Sequence, residues 1–141
     1  RRVLFRSTWA TEIGKLSRAR PKDIISGRSL SRGESGGITF IGLLGSISGS
    51  FVIATVGYFL DINSYYLIIV FISGFLGSLF DSILGSTLQT RFILMDGKTI
   101  KEEKETDSYH YSGLVFINNN SVNFLCTLSA PIFFILILLI I

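Results

Sequence analysis

Few residues in this 141-residue chain have the type and setting to do chemistry, and Asp81 comes first. It is the single charge in the apolar run from Tyr66 to Gln89 (YLIIVFISGFLGSLFDSILGSTLQ). A carboxylate at the centre of a bilayer costs about 2.5–3.5 kcal/mol on insertion scales, so Asp81 is expected to face protein, water or a cation. A functional role is its default reading.

Three polar groups elsewhere are its candidate partners. Arg32-Gly33-Glu34-Ser35-Gly36-Gly37 leads into an apolar run. The unpaired N–H groups and positive dipole end of a helix entrance attract anions, and Arg28 and Arg32 would add charge-assisted contacts. The Gly-rich turn at Ser35, Gly36 and Gly37 is therefore a candidate phosphate cradle, although a plain helix entrance accounts for the same residues. It is no Walker A loop, because no Gly-Lys-Ser/Thr follows. A second group is Asn118-Asn119-Asn120-Ser121-Val122-Asn123. One Asn can cap a helix, but Asn119 or Asn120 with Asn123 falls at helical spacing and puts two amides on one face. The third is Glu12, at the end of the helical remnant Thr8 to Gly14. Carboxylates with amide oxygens suit a hard divalent cation such as Mg²⁺.

These residues need elements to hold them, and the composition makes those elements membrane helices. Hydrophobic residues make up 48% of the chain and charged residues 16%, and the mean hydropathy is +0.55. The expected fold is all-α and polytopic. Spans are expected at about 37–60, 66–89 and 120–141, since about 20 helical residues cross the hydrocarbon. Lys15, Arg18, Arg20, Lys22, Arg28 and Arg32 occupy the loop at 15–36, and Arg91, Lys98, Lys101 and Lys104 that at 90–119, while Asp61 to Tyr65 has no Lys or Arg. The positive-inside rule then makes both long loops cytoplasmic. Gly74, Ser78, Ser82 and Ser86 form a small-residue column at four-residue steps, and Gly77, Asp81 and Gly85 a parallel one, so Asp81 is expected in a tight helix interface. It would sit about 12 Å below the inner end of its span.

The remaining features carry less. Within the loop from Thr90 to Ser112, the stretch Thr90 to Glu103 (TRFILMDGKTIKEE) reads as a hairpin-like excursion turning at Asp96-Gly97. His110 is expected to be exposed, with no second His to build a zinc site. Cys126 stands alone and reads as a small apolar residue of the third span. Arg1 to Ser7 (RRVLFRS) is identified as the translation of a short-read sequencing adapter, an assembly scar to be excluded from fold reasoning. Residues 8–141 would then be the C-terminal part of one membrane domain, beginning with the end of a truncated helix. Without Arg1, Arg2 and Arg6, basic and acidic residues balance at 10 each, so the pI of 9.2 gives no reason to expect a nucleic-acid partner.

Four ordered blocks carry a family resemblance. They are Thr8-Trp9-Ala10-Thr11-Glu12-Ile13-Gly14, Arg32 to Thr39 (RGESGGIT), Gly77 to Gln89 (GSLFDSILGSTLQ) and Asn119-Asn120-Ser121-Val122-Asn123. Together they resemble the transmembrane protein 19 family, also known as domain of unknown function 92. Family members include plant and cyanobacterial phytyl-phosphate kinases, which convert an isoprenoid monophosphate to its diphosphate with a nucleoside triphosphate. The resemblance implies that Asp81 and Glu12 hold a divalent metal or orient the acceptor phosphate. It further implies that Ser35, Gly36 and Gly37 cradle phosphates and that Asn119, Asn120 and Asn123 complete a polar wall. Two positions depart from the family pattern: Ser7 stands where relatives have Asp before Thr-Trp-Ala, and Asn118 where they often have Asp. Lacking the upstream helices and that leading Asp, the fragment is expected to be inactive by itself. The rival readings are a transporter with Asp81 as a coupling carboxylate, and a non-catalytic membrane protein in which Asp81 serves packing.

Overall fold

The computed structural model describes residues 19–31, 34–95, 97, 100–101, 103–104 and 106–141. The adapter segment, Glu12 and its helical remnant, Arg32 and Asp96 lie outside the described residues.

Among the described residues, three helices are long and apolar enough to cross a membrane: α1 (Phe40–Phe59), α2 (Ser64–Thr87) and α3 (Asn119–Ile140). Each opens on a side-chain cap that answers a backbone N–H the first turn leaves unpaired. Thr39 accepts from Gly42, Asn63 from Tyr65, and Asn118 from Ser121. These caps correct the expected boundaries. The first helix starts at Phe40 and not at Gly37, because Thr39 is the capping side chain. The third is capped by Asn118, which leaves Asn119 and Asn120 inside the helix. Between α1 and α2 the chain reverses at Leu60 to Asn63, with Asp61 in the left-handed region at φ 56°.

α2 packs against both α1 and α3. Its column Gly74-Ser78-Ser82-Ser86 faces α1 first: Gly74 lies against Ser50, and the Ser46 and Ser78 hydroxyls bond at 2.7 Å. Gly77 faces α3, where an added Cβ would meet Ala130 at 3.3 Å. Small residues thus let both neighbours approach α2 closely. Phe80 and Phe133 add an edge-to-face ring contact at 5.8 Å. Pro131 sits inside α3, leaving one carbonyl a turn earlier without its helical donor, which membrane helices tolerate.

Both long loops fold at the same end of the bundle. The first pairs β1 (Lys22–Asp23) with β2 (Gly37–Ile38), in antiparallel register Lys22 to Ile38 and Asp23 to Gly37. The second forms a three-stranded sheet ordered β4-β3-β5, from β3 (Arg91–Leu94), β4 (Ile100–Lys101) and β5 (Ser108–Ser112). The expected hairpin is its β3-β4 half, and β5 adds a strand that alternation in the sequence did not suggest. These short strands are minor beside the helices.

Candidate functional site

Asp81 lies on α2 six residues before Thr87, or about 9 Å along the axis at 1.5 Å per residue. Its neighbours a turn away on the same column are Gly77 and Gly85, both buried. Gly77 meets α3 at Ser129 and Ala130, and its carbonyl accepts a hydrogen bond from Cys126 Sγ at 3.4 Å. The Cys126 thiol is also the polar neighbour of the Asp81 carboxylate, so Asp81 faces the α2–α3 interface. Cys126 is half-buried there. The Asp81 side chain is half-buried too, and its Oδ1 is shielded from solvent without a hydrogen-bond partner. A carboxylate oxygen in that state is a vacancy for a proton, a cation or a donor group.

The Gly-rich turn sits next to this face, but in a different form from an open helix entrance. Gly36 adopts φ +79° and packs on α2 so tightly that an added Cβ would lie 2.6 Å from Ser86 Cα. From the other side, a Cβ on Gly85 would lie 2.9 Å from the Gly36 nitrogen and 3.3 Å from Ser35 Cβ. Gly37 is in β2, and the Gly36 carbonyl accepts from Ile24 N–H at 3.1 Å. The turn is therefore seated backbone to backbone on Gly85 and Ser86, one turn of α2 from Asp81. Much of its surface is spent on that seat.

What fastens the turn is a set of residues the sequence reading passed over. Asp23 is 5% exposed, and its Oδ1 accepts from Ile25 N–H (3.0 Å), Ser26 N–H (2.7 Å) and Ser26 Oγ (3.0 Å). Its Oδ2 accepts from Ser86 Oγ at 2.8 Å. Burial alone would raise the Asp23 pKa, but these donors favour the charged form and hold it down to about 2 from the ordinary 3.8. Arg91 Nη2 donates to the Ser35 carbonyl at 2.8 Å and the Gly85 carbonyl at 2.9 Å, joining the turn to the C-terminal end of α2. There the guanidinium also meets the negative end of the helix dipole. Gln89, Thr90 and Arg91 are all buried, at 2, 3 and 4% exposure. Asp23 with Ser26 and Gly27 is a turn signature in which the carboxylate caps N–H groups two and three residues on. That local signal was there to be read, whereas the link to Ser86 was not.

Of the Asn group, Asn119 and Asn123 are half-buried and Asn120 is exposed. Asn119, Asn123 and Cys126 follow one another at four and three residues, so they occupy one face of α3. That face leads to Asp81 through Cys126. Asn118 is committed to its cap, accepting from Ser121 N–H at 3.0 Å and Ser121 Oγ at 3.2 Å. Gly36, Asp81 and Asn123 are thus brought toward the same end of α2, while Glu12 and Arg32 lie outside the described residues. Among the described residues no group of three His, Cys, Asp or Glu gathers that could hold a metal. His110 is exposed, and its Nε2 lies 3.0 Å from the Gly113 carbonyl.

The comparisons with known proteins agree with this architecture. Residues 7–131 match the family model described as integral membrane protein DUF92. The chain is 32% identical over 134 residues to Protein PGR of Arabidopsis thaliana, covering 86% of this chain and 46% of that protein. It is 31% identical over 87 residues to an uncharacterized membrane protein of Methanocaldococcus jannaschii, covering 62% of this chain and 37% of the relative. The chain thus spans less than half the length of these curated relatives. No solved structure matches it. With three membrane-crossing helices and a match that takes in the Gly-rich turn, Asp81 and the Asn group, the chain belongs to the DUF92 family of multi-pass integral membrane proteins.

Proposed function

We propose that the protein is part of a membrane-embedded phosphotransferase that passes a phosphoryl group from a nucleoside triphosphate to an isoprenoid monophosphate such as phytyl monophosphate. An oxygen of the acceptor phosphate attacks the terminal phosphorus, the nucleoside diphosphate leaves, and the product is a prenyl diphosphate. The observation that carries this reading is the polar concentration at one end of α2. The unpartnered Oδ1 of Asp81, the Asn123 face of α3 and the Gly-rich turn on Gly85 and Ser86 all gather there. An amphiphile would lie with its tail against the apolar faces of the helices and its head group in this belt.

Phosphoryl transfer asks the protein mainly for positioning and for neutralisation of charge. Asp81 is suited to orient the acceptor or to contribute one ligand to Mg²⁺. A single protein carboxylate is enough when the triphosphate oxygens and water supply the rest of the cation's shell. Asp23 is unsuited to that task, because both its oxygens already accept hydrogen bonds.

The test uses the full-length protein in nanodiscs with Mg²⁺, ATP or CTP, and phytyl or geranylgeranyl monophosphate. Diphosphate should form, and Asp81→Asn should slow it by at least about 100-fold. Absence of product with the unaltered protein, or equal rates for the two forms, rejects the reading. A transporter is the second reading. It is favoured by the serine hydroxyls of Ser46, Ser50 and Ser78 along the α1–α2 contact inside the membrane, on the same helix as the Asp81 carboxylate with its unpartnered Oδ1.

A further inference from the structure

The segment that follows α2 holds an unusual stock of unanswered polar atoms. Gln89 Nε2, Thr90 Oγ1 and Arg91 Nε are each shielded from solvent without a hydrogen-bond partner among the described residues, on side chains of residues no more than 4% exposed. Buried donors are nearly always satisfied in native proteins, and three vacancies on consecutive residues call for a common explanation. A structural role accounts for part of Arg91, whose Nη2 ties Ser35 to Gly85. Both of those partners are neutral carbonyls, however, so they leave much of a buried positive charge unmatched. Neither does that role employ Arg91 Nε, Gln89 Nε2 or the Thr90 hydroxyl.

A guanidinium, an amide N–H and a hydroxyl are the donor types that recognise an oxyanion with several acceptor oxygens. Their position selects among anions. α2 ends at Thr87, so residues 89–91 lie just beyond the membrane-crossing helix, where the head group of an embedded amphiphile sits. The Gly-rich turn, by contrast, spends its backbone on the seat against Ser86.

We infer that Gln89, Thr90 and Arg91 form the subsite for the phosphate of a membrane-embedded monoester, directly behind the Gly-rich turn. The inference rests on the isoprenoid monophosphate reading above, and binding is measured separately from turnover so that either can fail alone.

The decisive variants are Thr90→Val and Gln89→Leu, singly and together. Neither change removes a side-chain hydrogen bond among the described residues, so a purely structural role predicts equal or higher thermal stability and unchanged ligand response. The full-length protein in nanodiscs is melted alone and with geranylgeranyl monophosphate, inorganic phosphate or ATP. Geranylgeranyl monophosphate should raise the midpoint of the unaltered protein, and each variant should weaken its apparent affinity by about tenfold while melting no lower without ligand. Arg91→Lys, which keeps the charge, should bind better than Arg91→Gln. No protection by the monophosphate, or equal protection of variants and unaltered protein, overturns the subsite. Loss of ATP protection alone in the variants also overturns it, because the phosphate bound would then belong to the soluble nucleotide. Binding without diphosphate formation leaves the subsite standing and rejects the kinase reading.

Discussion

Ser86 donates a hydrogen bond to Asp23 across 63 residues of chain, at 2.8 Å, and this contact explains why the first loop is folded. Ser86 closes the small-residue column of α2, whose earlier members Gly74 and Ser78 pack on α1. The same helical row therefore packs a helix within the membrane and seats a loop at its end.

The Asp23 contact should make the seat acid-sensitive. With its pKa held down to about 2 from 3.8, Asp23 contributes stability that is fully present above pH 4. That contribution falls away as the pH drops from about 4 toward 2, because the protonated carboxyl is a poorer acceptor for Ile25, Ser26 and Ser86. Amide exchange of Ile25 and Ser26 in detergent micelles should accelerate across that window beyond the intrinsic pH dependence. Asp23→Asn should remove the step and lower stability at pH 7 by about 1–3 kcal/mol. An unchanged profile in Asp23→Asn would refute the assignment.

Gly36 and Gly27 make a controlled pair. Both have positive φ, +79° and +69°, but an added Cβ has open space at Gly27 and meets the Ser86 backbone at 2.6 Å at Gly36. Gly27→Ala should cost about 1 kcal/mol, for the left-handed backbone alone. Gly36→Ala should cost at least about 3 kcal/mol or lift the turn from α2 altogether, since backbone on both sides has to move. Thermal melts compare the two directly, and equal losses would mean that the close seat has no energetic weight.

How much of this was legible depends on how local the signal was. The three helices are written in uninterrupted apolar runs, and the common end of the two loops in their Lys and Arg residues. The column through Asp81 was visible as a four-residue period, and its neighbours on α3 agree with it. The error at the first helix came from reading Gly36 and Gly37 as its entrance when Thr39, whose hydroxyl can accept from the first turn, stood two positions on. Asp23 was not singled out at all, and Arg91 was counted only as loop charge. Their partners, Ser86 for one and Ser35 with Gly85 for the other, are fixed by how α2 meets the first loop, and no spacing in the sequence encodes that.

The Ser46–Ser78 bond tests how much hydroxyl pairing contributes inside this bundle. Ser46 Oγ also bonds its own Gly42 carbonyl at 3.2 Å, so losing Ser78 leaves it a fallback. Ser78→Ala should therefore cost only about 0.6 kcal/mol, in line with hydroxyl bonds between membrane helices. The double variant with Ser46→Ala should cost little more than either single change. A loss above about 2 kcal/mol for Ser78→Ala would mean that the hydroxyl pair, and not the small-residue packing, holds α1 to α2.

Asp23 and Arg91 fasten the same loop to the same end of α2 from two sides, so their contributions should be coupled. Arg91→Met keeps the apolar stem but gives up the bonds to Ser35 and Gly85, at a cost of about 2 kcal/mol. Once either fastening is gone, the loop gains freedom, and the other bond is held for a smaller fraction of the time. The loss for Asp23→Asn with Arg91→Met should then fall short of the sum of the single losses by about 0.5–1 kcal/mol. Limited proteolysis at residues 19–31 should rise in each single variant and nearly saturate in either. Strict additivity would instead make the two contacts independent, with Gly36 on Ser86 as the element that holds the loop.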